Sequence, residues 1–227
     1  MIWLILLAVL FALVYLPSWW VRRTMARYSE PGDRYPSTGA DLARHLLDEH
    51  GLKSVTVERT EQGDHYDPEA KAVRLAEDRY SGRSLTAVTV AAHEVGHALQ
   101  DAKGYAPLAL RTRLVQWLRP LERIGAGVLM AAPLIAILIR LPSITAVVIL
   151  GGLLTLGTAT IVHLVTLPTE LDASFGRAMP LLERDGILLP EDHPHARKIL
   201  RAAAMTYVAV SLMSLLNVAR WWTLLRR

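Results

Sequence analysis

Four apolar blocks divide the chain, and the polar stretches between them carry two other periods. Met1 to Trp20 is nearly uncharged. Ile124 to Ile139 and Ile144 to Leu167 are separated only by Arg140-Leu141-Pro142-Ser143, and Ala202 to Ala219 is interrupted only by Thr206, Ser211, Ser214 and Asn217. An α-helix rises about 1.5 Å per residue against roughly 30 Å of bilayer hydrocarbon, so the first three blocks predict an anchor followed by a hairpin of transmembrane helices. In the first polar region, Ser37-Thr38-Gly39-Ala40-Asp41 reads as a helix start, and Leu42, His45, Leu46 and Leu47 share one face before Gly51 ends it. His45 is expected at the core or its boundary. Val55 to Thr60 and Lys71 to Leu75 alternate with period two around the turn-rich Gly63-Asp64-His65-Tyr66-Asp67-Pro68, which predicts a β-hairpin or small antiparallel sheet. Leu85 to Ala92 and Ala98-Leu99 are free of charge, as a buried helix requires, with Ser84 as N-cap and Gly104 as stop. Tyr105 to Leu121 is amphipathic and arginine-rich, suited to lie along a membrane surface, with a bend expected at Pro120.

The expected segments are therefore an anchor at 1–20, a region with the hairpin and buried helix at 21–123, a transmembrane hairpin at 124–167, a helix and loop at 168–201, and a final apolar helix at 202–227. Arg22, Arg23 and Arg27 follow the first block and nothing basic precedes it. By the positive-inside rule the N-terminus then faces out and the next region faces the cytoplasm. The block has no positive n-region and ends in Pro17-Ser18-Trp19-Trp20 rather than small residues, so it reads as an uncleaved anchor and not a signal peptide. With no cysteine, disulfides are excluded and any metal must be held by nitrogen and oxygen. The net charge of +4 comes largely from arginines beside the apolar blocks, an arrangement that fits a lipid bilayer as partner and not nucleic acid.

The chemistry sits in His93-Glu94-Val95-Gly96-His97. Positions four apart lie on one face of a helix, so His93 and His97 can grip one divalent ion, with Glu94 beside its open coordination position. That is the zinc-hydrolase pattern, one Zn²⁺ per chain, with Glu94 as catalytic general base. A catalytic zinc needs a third protein ligand, and His163, Glu170, Asp172, His193 and His195 are the candidates. Two predicted spans separate the motif from Glu170 and would return the chain to the same side, which favours Glu170. A carboxylate at a membrane boundary also needs a partner.

From the motif outward the chain resembles the YugP-like family of neutral zinc metallopeptidases of bacterial membranes. The resemblance runs through Asp64 to Pro68, Val73-Arg74-Leu75, Ala91 to Gln100, Leu167 to Ser174 and Ala203 to Ala209, in order along nearly the whole chain. It implies zinc-dependent peptide hydrolysis at a membrane, with the two histidines and a downstream glutamate as ligands. The chain is also similar to the wider membrane gluzincins, including HtpX and the CAAX prenyl proteases. Those relatives place an aspartate about one turn after the ligand glutamate to orient a histidine, whereas Ser174 stands at that position here. Asp101, Asp172 and Ser174 are all candidates for that supporting role.

The reading is thus a mainly α membrane protein of the bacterial inner membrane, multi-pass, with an HExxH zincin-like helix and an active site facing the cytoplasm. It would hydrolyse peptide or protein substrates, and its oligomeric state is not legible. Tyr66, His65, Arg177 and Tyr207 are candidates for an oxyanion donor or substrate contact. A strand of the hairpin is a candidate for holding the substrate extended. Competing readings are a structural metalloprotein of the membrane, which would call for four closed ligands, and a transporter subunit, for which only Arg140 and His163 interrupt the central spans.

Overall fold

A computed structural model of the protein describes residues 2–139, 146–151, 162, 165–184, 186–206 and 209. The chain divides into two compact units, one of residues 1–17, 110–166 and 207–227, the other of residues 18–109 and 167–206. The described elements begin with helix α1 (Ile2–Arg27), α2 (Gly39–Glu49), strands β1 (Thr56–Arg59), β2 (His65–Asp67) and β3 (Ala72–Leu75), and the short α3 (Glu77–Tyr80). Helices α4 (Leu85–Ala102) and α5 (Ala106–Ile139) follow. Residues 165–182 are helical throughout, with a π-helical segment at Asp172–Ala178, and residues 193–206 are helical again.

One expectation is overturned. Among the described residues no helix is long and apolar enough to cross a membrane. Arg22, Arg23 and Arg27 occupy the last turns of α1. In α5 the uncharged stretch after Arg123 rises about 24 Å by Ile139, short of the roughly 30 Å required. The predicted transmembrane helices, the multi-pass arrangement and the sidedness inferred from them are withdrawn. Most of the third apolar block and nearly all of the fourth past Thr206 lie outside the described residues. Pro120 lies within α5.

The second unit is built around α4. Every residue from Leu85 to Gln100 is buried, so this helix is enclosed on all sides, as its charge-free flanks require. Ser84 caps it by accepting a hydrogen bond from the Ala87 amide at 3.2 Å, and Gly104, at φ 62°, turns the chain away after its end. Helix α2 starts with a reciprocal cap, in which Thr38 Oγ1 accepts from the Asp41 amide at 3.1 Å and Asp41 accepts from the Thr38 amide at 3.0 Å. It places Leu42, Leu46 and Leu47 against α4. His45 is exposed rather than at the core boundary, because the apolar face of α2 passes through Leu42, Ala43, Leu46 and Leu47 and leaves position 45 outside it. Leu75, Val73, Val95, Leu182, Ile199 and Leu200 complete the fully buried centre, each worth roughly 1.5–3 kcal/mol of apolar burial.

The sheet differs from the expected antiparallel one. Its order is β1-β3-β2, with β1 parallel to β3 (Thr56 opposite Ala72, Arg59 opposite Leu75) and β2 antiparallel to β3 (His65 opposite Arg74, Asp67 opposite Ala72). The tight turn is at residues 68–71, where Asp67 Oδ1 accepts from the Glu69 and Ala70 amides at 2.9 and 3.0 Å. Strand β2 falls in the stretch read as a turn. Its only apolar residue is Tyr66, too little for a period-two signal, and Tyr66 is drawn inward by a 2.6 Å hydrogen bond to Asp101 on α4.

Asp192 ties the loop after α1 to the segment before residues 193–206. It accepts from Arg34 Nε at 2.5 Å and Nη2 at 2.9 Å, and from the Tyr35 hydroxyl at 2.5 Å. Burial opposes its ionisation, but the hydrogen bonds and charge of Arg34, with Tyr35, hold its carboxyl below the usual range. A depressed folded pKa means stability present above the ordinary carboxylate pKa of about 3.9 and lost as pH falls through the folded value. Asp192→Asn is therefore expected to lower the urea midpoint most near neutrality. Its deficit against wild type should shrink as pH drops below about 4, and a deficit constant with pH would refute this account.

Candidate metal centre

Helix α4 carries His93 and His97 on one face, and the 165–182 helix brings Glu170 against them. All three are nearly inaccessible to solvent. Glu170 Oε2 lies 3.2 Å from His93 Nε2 and 3.3 Å from His97 Nε2, and one ligand atom from each residue lies within 4.8 Å of the others. The two rings meet edge to face, with centroids 4.8 Å apart and planes at 77°. Close approach of the two helices is what closes the site. Gly96 permits it: a Cβ there would stand 2.6 Å from the Ala173 carbonyl oxygen in the π-helical segment. Gly96→Ala is expected to cost about 1–3 kcal/mol in urea unfolding and to reduce zinc content by prising Glu170 from α4. Unchanged stability and metal content would show that the contact gives way freely.

The outer nitrogens of both imidazoles are engaged. Ser174 Oγ donates to the Leu200 carbonyl at 3.2 Å and lies 3.1 Å from His93 Nδ1. A hydroxyl has one hydrogen, so Ser174 accepts from His93, which carries its hydrogen on Nδ1. Gln100 Nε2 donates to the Thr169 carbonyl and to Asp172 Oδ2, both at 2.8 Å, leaving Gln100 Oε1 to accept from His97 Nδ1 at 2.9 Å. In neutral imidazoles both Nε2 atoms then present lone pairs toward the carboxylate. Three lone-pair atoms facing one another repel unless positive charge lies between them, and this donor set fits a divalent ion taking nitrogen and oxygen ligands. Burial opposes ionisation of Glu170, but when the imidazoles carry their second protons, interaction with His97 and His93 outweighs it and holds the carboxyl well below the usual carboxylate range; with both imidazoles neutral, a divalent ion would supply that positive charge. The Glu170 carboxylate is therefore ionised, as ligation by a carboxyl group requires.

Glu94 is buried on α4 directly after His93. Asp172 and Ser174 each reach a histidine, Ser174 directly and Asp172 through Gln100. An ideal α-helix would carry Glu170 and Ser174 on one face and turn Asp172 to the opposite one. The wider π-helical turn over Asp172–Ala178 is where the two supporting residues are presented together. Asp101 does not join them; it accepts from Tyr66 at 2.6 Å and from Lys71 Nζ at 2.5 Å. Tyr66 thus commits its hydroxyl hydrogen to Asp101, and Arg177 commits Nε to Asp172 at 2.8 Å. His65 Nδ1 faces the Gly63 carbonyl at 2.8 Å. His195 stacks on Tyr28 at 5.0 Å with Nδ1 3.6 Å from Asp192, in a separate cluster from the histidine pair. Tyr207 and His163 lie outside the described residues. Gln100 had no place among the sequence candidates, although it sits three residues past His97, where a helix brings side chains together.

A family model described as "Putative neutral zinc metallopeptidase" matches residues 3–226 of the chain. The chain is 38% identical over 203 residues to "Putative membrane protease YugP" of Bacillus subtilis (strain 168), covering 88% of this chain and 86% of that protein. No solved structure matches it. The match spans both α4 and the Glu170 helix, so the same stretch of chain that assembles the buried His-His-Glu cluster also places the protein in a family: it belongs to the one that this model describes as "Putative neutral zinc metallopeptidase".

Proposed function

We propose that this protein is a zinc-dependent endopeptidase in which His93, His97 and Glu170 hold the metal and Glu94 is the general base. The observation that carries the reading is the convergence of two imidazole lone pairs on a buried carboxylate, with every outer nitrogen already hydrogen-bonded. When bound there, zinc would supply Lewis acidity that brings the pKa of water toward neutrality and polarises a scissile carbonyl. Glu94, one residue after a ligand, takes the proton of the attacking water and delivers it to the leaving amine. Serving both transfers requires a carboxylate held close and shielded, which the burial of Glu94 supplies.

Substrate enters as an extended strand along β2, which is an edge strand and is tied to α4 through Tyr66 and Asp101. Because the Bacillus relative is named a membrane protease, the proposed substrates are membrane-associated proteins. A purely structural metal site would call for a fourth protein ligand, and the cluster among the described residues has three. The test is mass-spectrometric comparison of membranes incubated with the zinc-loaded wild type and with Glu94→Gln. New peptide termini only with wild type support the reading. Identical termini in both samples would refute it.

A further inference from the structure

We infer that Gln100 is the positioning residue that decides which nitrogen of His97 faces the metal centre, and that Arg177, acting through Asp172, holds Gln100 in that setting. The inference rests on the zinc reading of the site. A glutamine amide can turn either its oxygen or its nitrogen toward a neighbour, since the two ends are almost the same shape. Here two acceptors remove the choice. The Thr169 carbonyl and Asp172 Oδ2 each lie 2.8 Å from Gln100 Nε2, so both amide hydrogens are directed away from His97. Gln100 Oε1 is left facing His97 Nδ1 at 2.9 Å, where it accepts.

Reversing the amide would press its oxygen against two acceptors and aim an N–H at His97 Nδ1. His97 would then have to shift its hydrogen to Nε2, the atom 3.3 Å from Glu170, and the lone pair needed for ligation would be lost. The Thr169 carbonyl belongs to the backbone, so Asp172 is the side chain that makes the choice firm. Arg177 Nε donates to the same Asp172 oxygen at 2.8 Å, and its guanidinium lies over the Tyr105 ring at 5.5 Å. Gln100 is fully buried, so water cannot replace a lost partner. His93 uses a separate device, Ser174 and the Leu200 carbonyl, and serves as an internal control.

The test uses the full-length protein with ¹⁵N-labelled histidine, metal-free and zinc-loaded, with zinc affinity measured by chelator competition. Gln100→Met and Asp172→Asn are expected to weaken zinc binding by about 10–100-fold. Arg177→Met should weaken it less, and Arg177→Lys should recover part of that loss. In metal-free wild type the Nδ1–H signal of His97 should be protected from exchange. Asp172→Asn, which keeps the side-chain shape while allowing the amide to turn, should diminish that signal and leave that of His93 unchanged. Wild-type zinc affinity in Gln100→Met and Asp172→Asn, or a His97 Nδ1–H signal indifferent to Asp172→Asn, would overturn the inference. Failure of wild type itself to bind zinc would instead refute the zinc reading, and the metal-free spectra would still decide the role of Gln100.

Discussion

Zinc-loaded Glu94→Gln is expected to lose peptide hydrolysis by at least about 10²-fold while folding and binding zinc as wild type does. The amide keeps the volume of the carboxylate, so the wholly buried packing of α4 is preserved, but it cannot accept a proton. The loss should fall on kcat with KM little changed, because the proton is transferred only as the reaction proceeds. Steady-state hydrolysis of a peptide found among the wild-type products, beside zinc content by atomic absorption, is the measurement. Turnover near the wild-type rate by a variant with full zinc would remove Glu94 from the role of base.

Glu170→Ala should strip the site of its metal. A four-ligand structural zinc site binds with about 10–16 kcal/mol, or roughly 3 kcal/mol per ligand, so removing one protein ligand should weaken zinc binding by about 10²–10³-fold. Glu170 is the only negative charge in the cluster, and both histidine nitrogens point at one of its oxygens. His193→Ala and His195→Ala should keep wild-type zinc content, because His195 is occupied with Tyr28 and Asp192, and both are absent from the cluster. Chelator competition on the purified variants decides it. Full zinc in Glu170→Ala, with loss in either loop variant, would move the third ligand to that loop.

The supporting residues show how differently two parts of one site can be read. The spacing of His93, Glu94 and His97 is enforced by 3.6 residues per turn wherever a helix forms, and the uncharged flanks and Ser84 declare that helix. Ser174 and Asp172 are visible as candidates, but which histidine each one serves, Ser174 directly and Asp172 through Gln100, is set by contacts between helices distant in sequence. Gln100 was invisible because a glutamine in a buried helix has no signature of its own. It becomes legible only when its three neighbours are seen to be two acceptors and one imidazole.

Local physics therefore accounts for α2 with its reciprocal cap, for the buried α4, for strands β1 and β3, and for two of the three residues of the buried His-His-Glu cluster. Each rests on interactions within a few residues of one another, which composition and period encode directly. The third residue, Glu170, was favoured by a count of membrane spans that the described helices do not support. It reaches the histidines instead because Gly96 lets the 165–182 helix lie against α4, a long-range steric fit. Strand β2, held to α4 by the hydrogen bond of Tyr66 with Asp101, and the parallel pairing of β1 with β3 likewise rest on contacts distant in sequence. A chain's periodicity states which face of each element is apolar. It does not state which other face will be pressed against it, and here that choice brought Glu170 to the two histidines.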